Sequence, residues 1–275
     1  MSEGFKRKVL STRTLVRRAV AAAAAAVAFA VVVWLGYRGL YDVTYAQSIV
    51  DDLLDGLVVT LVAVAVVIPV GLVVGFSFGW ARTTRSWVLR ATGTTYVEFF
   101  RSMPPLVLIV FSSLVIGLLL RAYLYVENPF VIALGVGMLA LALHSGSYQA
   151  EIVRAGILSV PTGQVEAAEA LGLTRVQTMF RVTLPQAFRV SLPALGNEFA
   201  VVIKDTSLIS AIGGLELSFQ GTILVNSAIR LNLNYVFIIW VEIALLYFVL
   251  TTIVTLAVRK VENRYGVPGL EAAAL

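Results

Sequence analysis

Six long apolar stretches constrain this chain more than any other feature. They fall at about residues 19–40, 54–80, 97–120, 130–150, 192–213 and 235–258, each long enough to cross about 30 Å of hydrocarbon as a helix. A backbone in lipid must satisfy its own hydrogen bonds, and helices do so within one segment. The 275 residues are 59% hydrophobic and only 13% charged, more apolar surface than a soluble domain of this size can bury. The expected fold is therefore an all-α, polytopic membrane protein. With no cysteine, disulfide and thiolate chemistry are excluded. The net charge of +5 raises nucleic acid as a partner, but the basic residues lie between the apolar spans, where a membrane protein places them.

Those basic residues set an orientation. Lys6, Arg7, Lys8, Arg13, Arg17 and Arg18 precede the first span, and Arg82, Arg85 and Arg90 follow the second. Arg154, Arg175, Arg181 and Arg189 follow the fourth, and Arg259, Lys260 and Arg264 follow the sixth. The opposite loops carry only Arg38, Arg121 and Arg230. Both termini and the 151–191 loop are expected to be cytoplasmic. The first span has a basic lead and an alanine-rich core, Ala21 to Ala26, as a signal peptide has. Its length, with no cleavage-like site before Thr44-Tyr45-Ala46, favours a retained anchor. In the second span Gly71, Gly75 and Gly79, four apart, make one helix face that another backbone can approach. Packing within the chain is the expected use. Pro69 is expected to kink or interrupt that helix.

The polar segment between the fourth and fifth spans reads as two short helices with a bend. Ser159-Val160-Pro161 opens the first, since proline suits the first helical turn. Val165, Ala168 and Gly172 share a face, and Gly172 is a C-terminal stop. Thr174 with Gln177 three residues on forms a capping box. Val176, Met179, Phe180 and Thr183 line one side of the second helix, which Pro185 is expected to end.

These residues also carry a resemblance. Glu166-Ala167-Ala168, three residues, Gly172, nine residues, then Val182-Thr183-Leu184-Pro185 resemble the EAA-x3-G-x9-I-x-L-P loop of ABC importer permeases, with valine in place of isoleucine. Glu98-Phe99-Phe100-Arg101 with Pro104 resembles the family's EFFRGTP, with Ser102 and Met103 replacing glycine and threonine. The segment His144-Ser145-Gly146-Ser147-Tyr148-Gln149-Ala150-Glu151-Ile152-Val153-Arg154 is similar to N-S-G-A-Y-x-A-E-I-x-R. Leu184-Pro185-Gln186-Ala187, Leu192-Pro193-Ala194-Leu195-Gly196-Asn197-Glu198-Phe199 and Lys204-Asp205-Thr206-Ser207-Leu208 match LPQA, LPxLGNxF and KDTSL. Together they cover about residues 52 to 264 and resemble the permease subunit of polar amino-acid ABC importers, the histidine/glutamine/glutamate/arginine/opine type.

The resemblance implies a core of five transmembrane helices plus one extra N-terminal helix. Residues 1–50 would be a cytoplasmic tail and anchor, 51–264 the transmembrane domain with a coupling loop at 157–190, and 265–275 a tail. It implies a multi-pass protein of the prokaryotic cytoplasmic membrane. Its expected partners are an ABC ATPase dimer, an extracytoplasmic amino-acid-binding protein and a second permease copy or paralogue, with no nucleic acid. Glu166, Ala167, Ala168, Gly172, Leu184 and Pro185 would dock the ATPase. ATP and Mg would reside on that partner, with no cofactor or metal on this chain.

Charge inside the membrane marks a second set of residues. An ionised group at the bilayer centre costs about 2.5–3.5 kcal/mol on insertion scales, so Asn197, Glu198, Lys204, Asp205, Thr206 and Ser207 in the fifth span need a cavity or partners. Lys204 and Asp205 point about 100° apart on a helix, and Glu242 or Glu98 would serve as partners. Structural and substrate-facing roles both stay open. His144, the only histidine, reads as a buried hydrogen-bonding side chain or a path residue. Its neighbour Ser145 faces another direction, which excludes a nucleophile–base pair. The chain has neither H-E-x-x-H nor a phosphate-binding G-x-x-x-x-G-K-[ST], so ATP hydrolysis would belong to another subunit. The rival is an ion-coupled secondary transporter working through Lys204, Asp205 and Glu242.

Overall fold

The protein's structure, a computed structural model, describes residues 41–265 and short stretches between residues 20 and 39. The expected first span at 19–40, on which the anchor-or-signal question turns, is described only in short stretches, and the basic N-terminal lead and the tail after residue 265 lie outside the described residues. The helices are α1 (Val43–Ser48), α2 (Val50–Ala81), α3 (Trp87–Ser102), α4 (Pro105–Leu124), α5 (Pro129–Leu158), α6 (Thr162–Ala170), α7 (Arg175–Thr178), α8 (Leu184–Asp205), α9 (Leu217–Ala228) and α10 (Leu233–Tyr265). Among the described residues no strand occurs. Four helices are long and apolar enough to cross a membrane: Val50–Ala81, Pro105–Tyr123, Pro129–Leu158 and Leu233–Arg264. A fifth candidate is a broken pair, Arg175–Ile212 and Leu217–Ala228, bent by 49°.

The chain divides into two compact units, one of residues up to Val50 with Leu224–Glu242, the other of Asp51–Ile223 with Ile243 onward. In the smaller unit Asp42 caps α1 by accepting from the Thr44 and Tyr45 N–H groups at 2.9 and 3.1 Å, one carboxylate serving two otherwise orphaned donors. Tyr45 stacks on Tyr235 with ring centroids 3.7 Å apart. The Tyr41 hydroxyl donates to Glu242. Burial first, and the Glu242 carboxylate second, push the Tyr41 phenol up to about 12, so it stays a donor at neutral pH.

The larger unit is built on α5, the most buried of the spans. Asn128 caps it by accepting from the Phe130 and Val131 N–H groups, and Pro129 occupies its first turn, where the missing N–H costs nothing. Helix α2 packs against it through the glycine ridge. A Cβ at Gly71 would lie 2.7 Å from Gln149 Nε2, at Gly75 2.6 Å from Gln149 Cβ, and at Gly79 2.6 Å from the Ala150 carbonyl. The three glycines thus let two backbones touch within the chain. The opposite face of α2, including Val58, Val62, Val66 and Val73, is exposed, as lipid contact requires. Pro69 lies inside α2, which runs on through it.

Three expectations are corrected. The third span does not begin at residue 97. Met103 is extended at φ −91° and ψ 135°, because a residue before proline is driven from the helical region. Residues 97–102 therefore end the separate helix α3, and the span starts at Pro105. Pro185 does not end the second loop helix. A π-helical turn over Met179–Thr183 joins α7 to α8 and absorbs the proline into the first turn of α8, a register shift that tolerates its missing donor. The region 214–234, expected as a loop, contains α9. Glu216, fully buried, caps that helix by accepting from the Ser218 and Phe219 N–H groups at 2.9 Å and from Tyr247 Oη at 2.7 Å.

Candidate coupling and translocation site

The loop between α5 and α8 folds as its residues dictate. Helix α6 stops at Gly172, whose φ of +87° is open to glycine at little cost. The Thr174 hydroxyl accepts from the Gln177 N–H at 3.3 Å, and Gln177 Oε1 accepts from the Thr174 N–H at 2.9 Å. That reciprocal capping box starts α7. Glu169 and Arg175 approach to 3.9 Å across the bend. Glu166 and Ala167 are exposed while Ala168 is buried, so α6 presents its glutamate outward and packs on its alanine. Among the described residues nothing beyond its two sequence neighbours lies within 4 Å of the position a Cβ would take at Gly172. Leu184 packs beside the buried cluster of Ile157, Val160 and Ala187, and Pro185 is exposed.

The intramembrane candidates separate into three groups. Glu198 and the α5 residues come together: Glu198 Oε1 accepts from Ser145 Oγ at 2.7 Å, and Ser145 Oγ accepts from Gln149 Nε2 at 2.9 Å. His144, one residue before Ser145, is 7% exposed and its Nε2 has no hydrogen-bond partner. Its ring lies 5.2 Å from that of Tyr148 and meets the backbone of Met103 at the α3–α4 break. Thr206 and Ser207 instead satisfy their own helix, donating to the Ile203 and Lys204 carbonyls at 2.7 Å. Asn197 and Lys204 are exposed and Asp205 is half-buried. Among the described residues neither Lys204 nor Asp205 forms an ion pair. The expected partners are otherwise engaged: Glu242 accepts from Tyr41, and Glu98 sits exposed on α3 rather than in a span.

Sequence reasoning missed the most connected carboxylate. Glu151, near the end of α5, pairs with Arg82, with Arg154 at 2.7 Å and with Arg101 at 3.7 Å. Arg101 also lies over the Tyr148 ring at 5.2 Å. One acid thus ties together the ends of α2, α3 and α5. The available signal was its place in the His144–Arg154 segment, three residues before Arg154 on the same helix face. Gln149 was missed too. It is fully buried against the glycine ridge, and its Oε1 has no partner. Among the described residues no cluster of side chains suits a metal ion.

Residues 68–267 match the family model described as binding-protein-dependent transport system inner membrane component. The L-cystine transport system permease protein TcyB of Bacillus subtilis is 39% identical over 184 residues, 67% of this chain and 74% of that one. The glutamine transport system permease protein GlnP of Escherichia coli is 33% identical over 186 residues, 68% of this chain and 80% of that one. A crystal structure of an amino acid ABC transporter with histidines superposes with a TM-score of 0.69 at 31% identity, covering 82% of this chain and 99% of that one. The MetNI methionine ABC transporter in inward-facing conformations shares the fold, with a TM-score of 0.65 at 21% identity over 80% of this chain and 99% of that one. These neighbours are components of ABC transporters, not ion-coupled secondary transporters, and the latter alternative is set aside. The chain belongs to the family of binding-protein-dependent transport system inner membrane components, as a membrane permease subunit of the ABC importer class.

Proposed function

We propose that this chain forms the membrane path of an ATP-driven importer for polar amino acids and is moved by a separate ATPase dimer docking on α6 and the Gly172 bend. The observation that carries this reading is the exposed EAA helix. It turns Glu166 and Ala167 outward, anchors itself through Ala168, and leaves open space at Gly172 where a partner surface would fit. An extracytoplasmic binding protein delivers the solute, and a second permease copy or paralogue completes the path. ATP and Mg bind the ATPase. Partner binding that favours one of two states of the permease shifts the spans between them, which is alternating access. The protein lies in the cytoplasmic membrane with α6 on the cytoplasmic side.

Topology tests the reading first. The chain has no cysteine, so single thiols report cleanly. A thiol at Ser159 is expected to be shielded from an impermeant external reagent, and one at Glu127 to be labelled. The reverse pattern would remove the ATPase from α6.

The path is assigned to the polar face of α8 with its α5 neighbours: Asn197, Glu198, Lys204 and Asp205, with His144 beside them. A polar amino acid carries an ammonium and a carboxylate, and each needs an opposite charge or a hydrogen bond away from water. The support is chemical: among the described residues Lys204 and Asp205 have no ion-pair partner, and His144 Nε2 has no hydrogen-bond partner. Lys204→Met and Asp205→Asn are expected to lower uptake by roughly tenfold or more, the scale for removing a charge-assisted hydrogen bond. Assembly with the ATPase should persist. If either change instead prevents assembly, the pair is structural.

A further inference from the structure

Beneath α6 lies a cavity of about 400 Å³ whose wall includes Trp80 at the end of α2, Arg85 after it, Glu169 of α6, and Arg175 and Thr178 of α7. The Thr178 hydroxyl is 2% exposed and has no hydrogen-bond partner. A buried hydroxyl left unpaired costs about 1–3 kcal/mol, and Thr178 is among the residues that wall this cavity, so an acceptor held there would satisfy it. Arg85 forms no ion pair among the described residues, and Arg175 reaches its only carboxylate, Glu169, at 3.9 Å. Two guanidiniums face one glutamate, so the cavity carries excess positive charge. The Thr83 and Thr84 hydroxyls already donate to the Trp80 and Ala81 carbonyls at 2.8 Å and add no donor.

A second, apolar cavity of about 170 Å³ is walled by Phe76 of α2, Val153 of α5, and Leu184, Phe188 and Leu195 of α8. Trp80, in the wall of the first cavity, lies 6.0 Å by ring centroids from Phe76, in the wall of the second, and 6.2 Å from Phe180. Phe180 and Phe188 are more than half exposed. A cationic, hydrogen-bonding end thus runs into an exposed hydrocarbon-lined end, with tryptophan at the junction, where aromatic residues favour the membrane interface.

We propose that this groove binds an anionic phospholipid of the inner leaflet, its phosphate between Arg85 and Arg175 and accepting from Thr178 Oγ1, its acyl chain along Phe76 and Phe188. A zwitterionic lipid would place its ammonium against two arginines, and a free anion would gain nothing from the apolar end. The leaflet assigned here rests on the cytoplasmic placement of α6. The lipid chemistry does not. The occupant would lie under the coupling helix, so the leaflet's anionic content would set how firmly α6 is supported.

The test uses the full chain in nanodiscs of mixed phosphatidylglycerol and phosphatidylcholine, with lipids retained on release counted by native mass spectrometry. Wild type should hold phosphatidylglycerol preferentially. The double change Arg85→Ala, Arg175→Ala should lower that retention by roughly fivefold per arginine. Arg259→Ala with Lys260→Ala, an equal loss of charge at exposed positions outside the groove, should not. Thr178→Val, close in shape, should lower it by roughly tenfold without loss of folded protein by circular dichroism, and it decides alone if the arginine variant does not fold. Equal losses in both charge variants would mean diffuse attraction and overturn the site, as would unchanged retention in Thr178→Val. Glycerol phosphate displacing phosphatidylglycerol from the released protein would overturn the lipid in favour of a soluble phosphate. Retention is read without the ATPase, so failed docking at α6 leaves this result unmoved.

Discussion

Gly75→Leu is expected to strip the permease from the membrane fraction. A Cβ at this position would meet Gln149 Cβ at 2.6 Å and the Ala150 backbone nitrogen at 3.1 Å, and leucine adds three further carbons in the same direction. Rotation of a flexible neighbour relieves little, because Gln149 is fully buried and Ala150 presents backbone. Overpacking of a tight core costs about 1–3 kcal/mol and sometimes more, a large share of the 5–15 kcal/mol that holds a typical domain together. Gly135 of α5 is the comparison, since a Cβ there meets nothing within 4 Å. Gly135→Leu should accumulate and melt as wild type does, while Gly75→Leu should fall severalfold in level and unfold about 2–10 °C lower. Equal behaviour of the two would mean that α2 and α5 are not in close contact in the membrane.

Gly172→Trp should leave the permease folded and inserted yet lower solute-stimulated ATP hydrolysis in the reconstituted complex by roughly tenfold or more, the effect of forcing bulk into a fitted surface. Beyond its sequence neighbours no described residue lies within 4 Å of the Cβ position at Gly172, so a side chain leaves the backbone there unobstructed and extends toward the surface where a partner would dock. A backbone penalty also applies, because φ of +87° costs a non-glycine residue about 1–2 kcal/mol. Gly172→Asn separates the two contributions, since asparagine tolerates the left-handed region. If stimulation survives in both variants, the bend does not face the ATPase. Loss in Gly172→Trp alone would assign the effect to bulk, and loss in both would mean that even a small side chain on an accommodated backbone breaks the fit.

Local chemistry was legible in the sequence, and distant partnership was not. The Gly172 stop, the Thr174–Gln177 box and the Gly71–Gly75–Gly79 ridge each depend on spacing within one helix, and spacing is what a sequence displays. The break at Met103-Pro104 was masked because apolar residues such as Val97, Phe99 and Phe100 run into it, and hydropathy averages across a change of direction. Helix α9 was hidden for a related reason: its start is fixed by Glu216, whose partner Tyr247 comes from another helix. Glu151 drew no attention beside Arg154 because its other arginines, Arg82 and Arg101, are separated from it by 50 or more positions. The role of the polar segment from Asn197 to Ser207 was the least legible. Two of its six polar residues, Thr206 and Ser207, donate to their own helix, and composition does not distinguish those groups from Lys204 and Asp205.

The π-helical turn that carries the chain past Pro185 has a mechanical consequence. Because α7, the turn and α8 follow one another without a loop, Arg175 and Asp205 sit on one continuous helical rod about 45 Å long at about 1.5 Å per residue. A rod of that length is a lever. Tilting it by about 5° around its Thr174 end would carry Asp205 sideways by about 4 Å, more than the length of a hydrogen bond. A tilt that keeps the rod straight would therefore move the polar segment with the loop, and the breaks in regular α-helical hydrogen bonding where it could bend are the widened turn at Met179–Thr183 and Pro193 within α8.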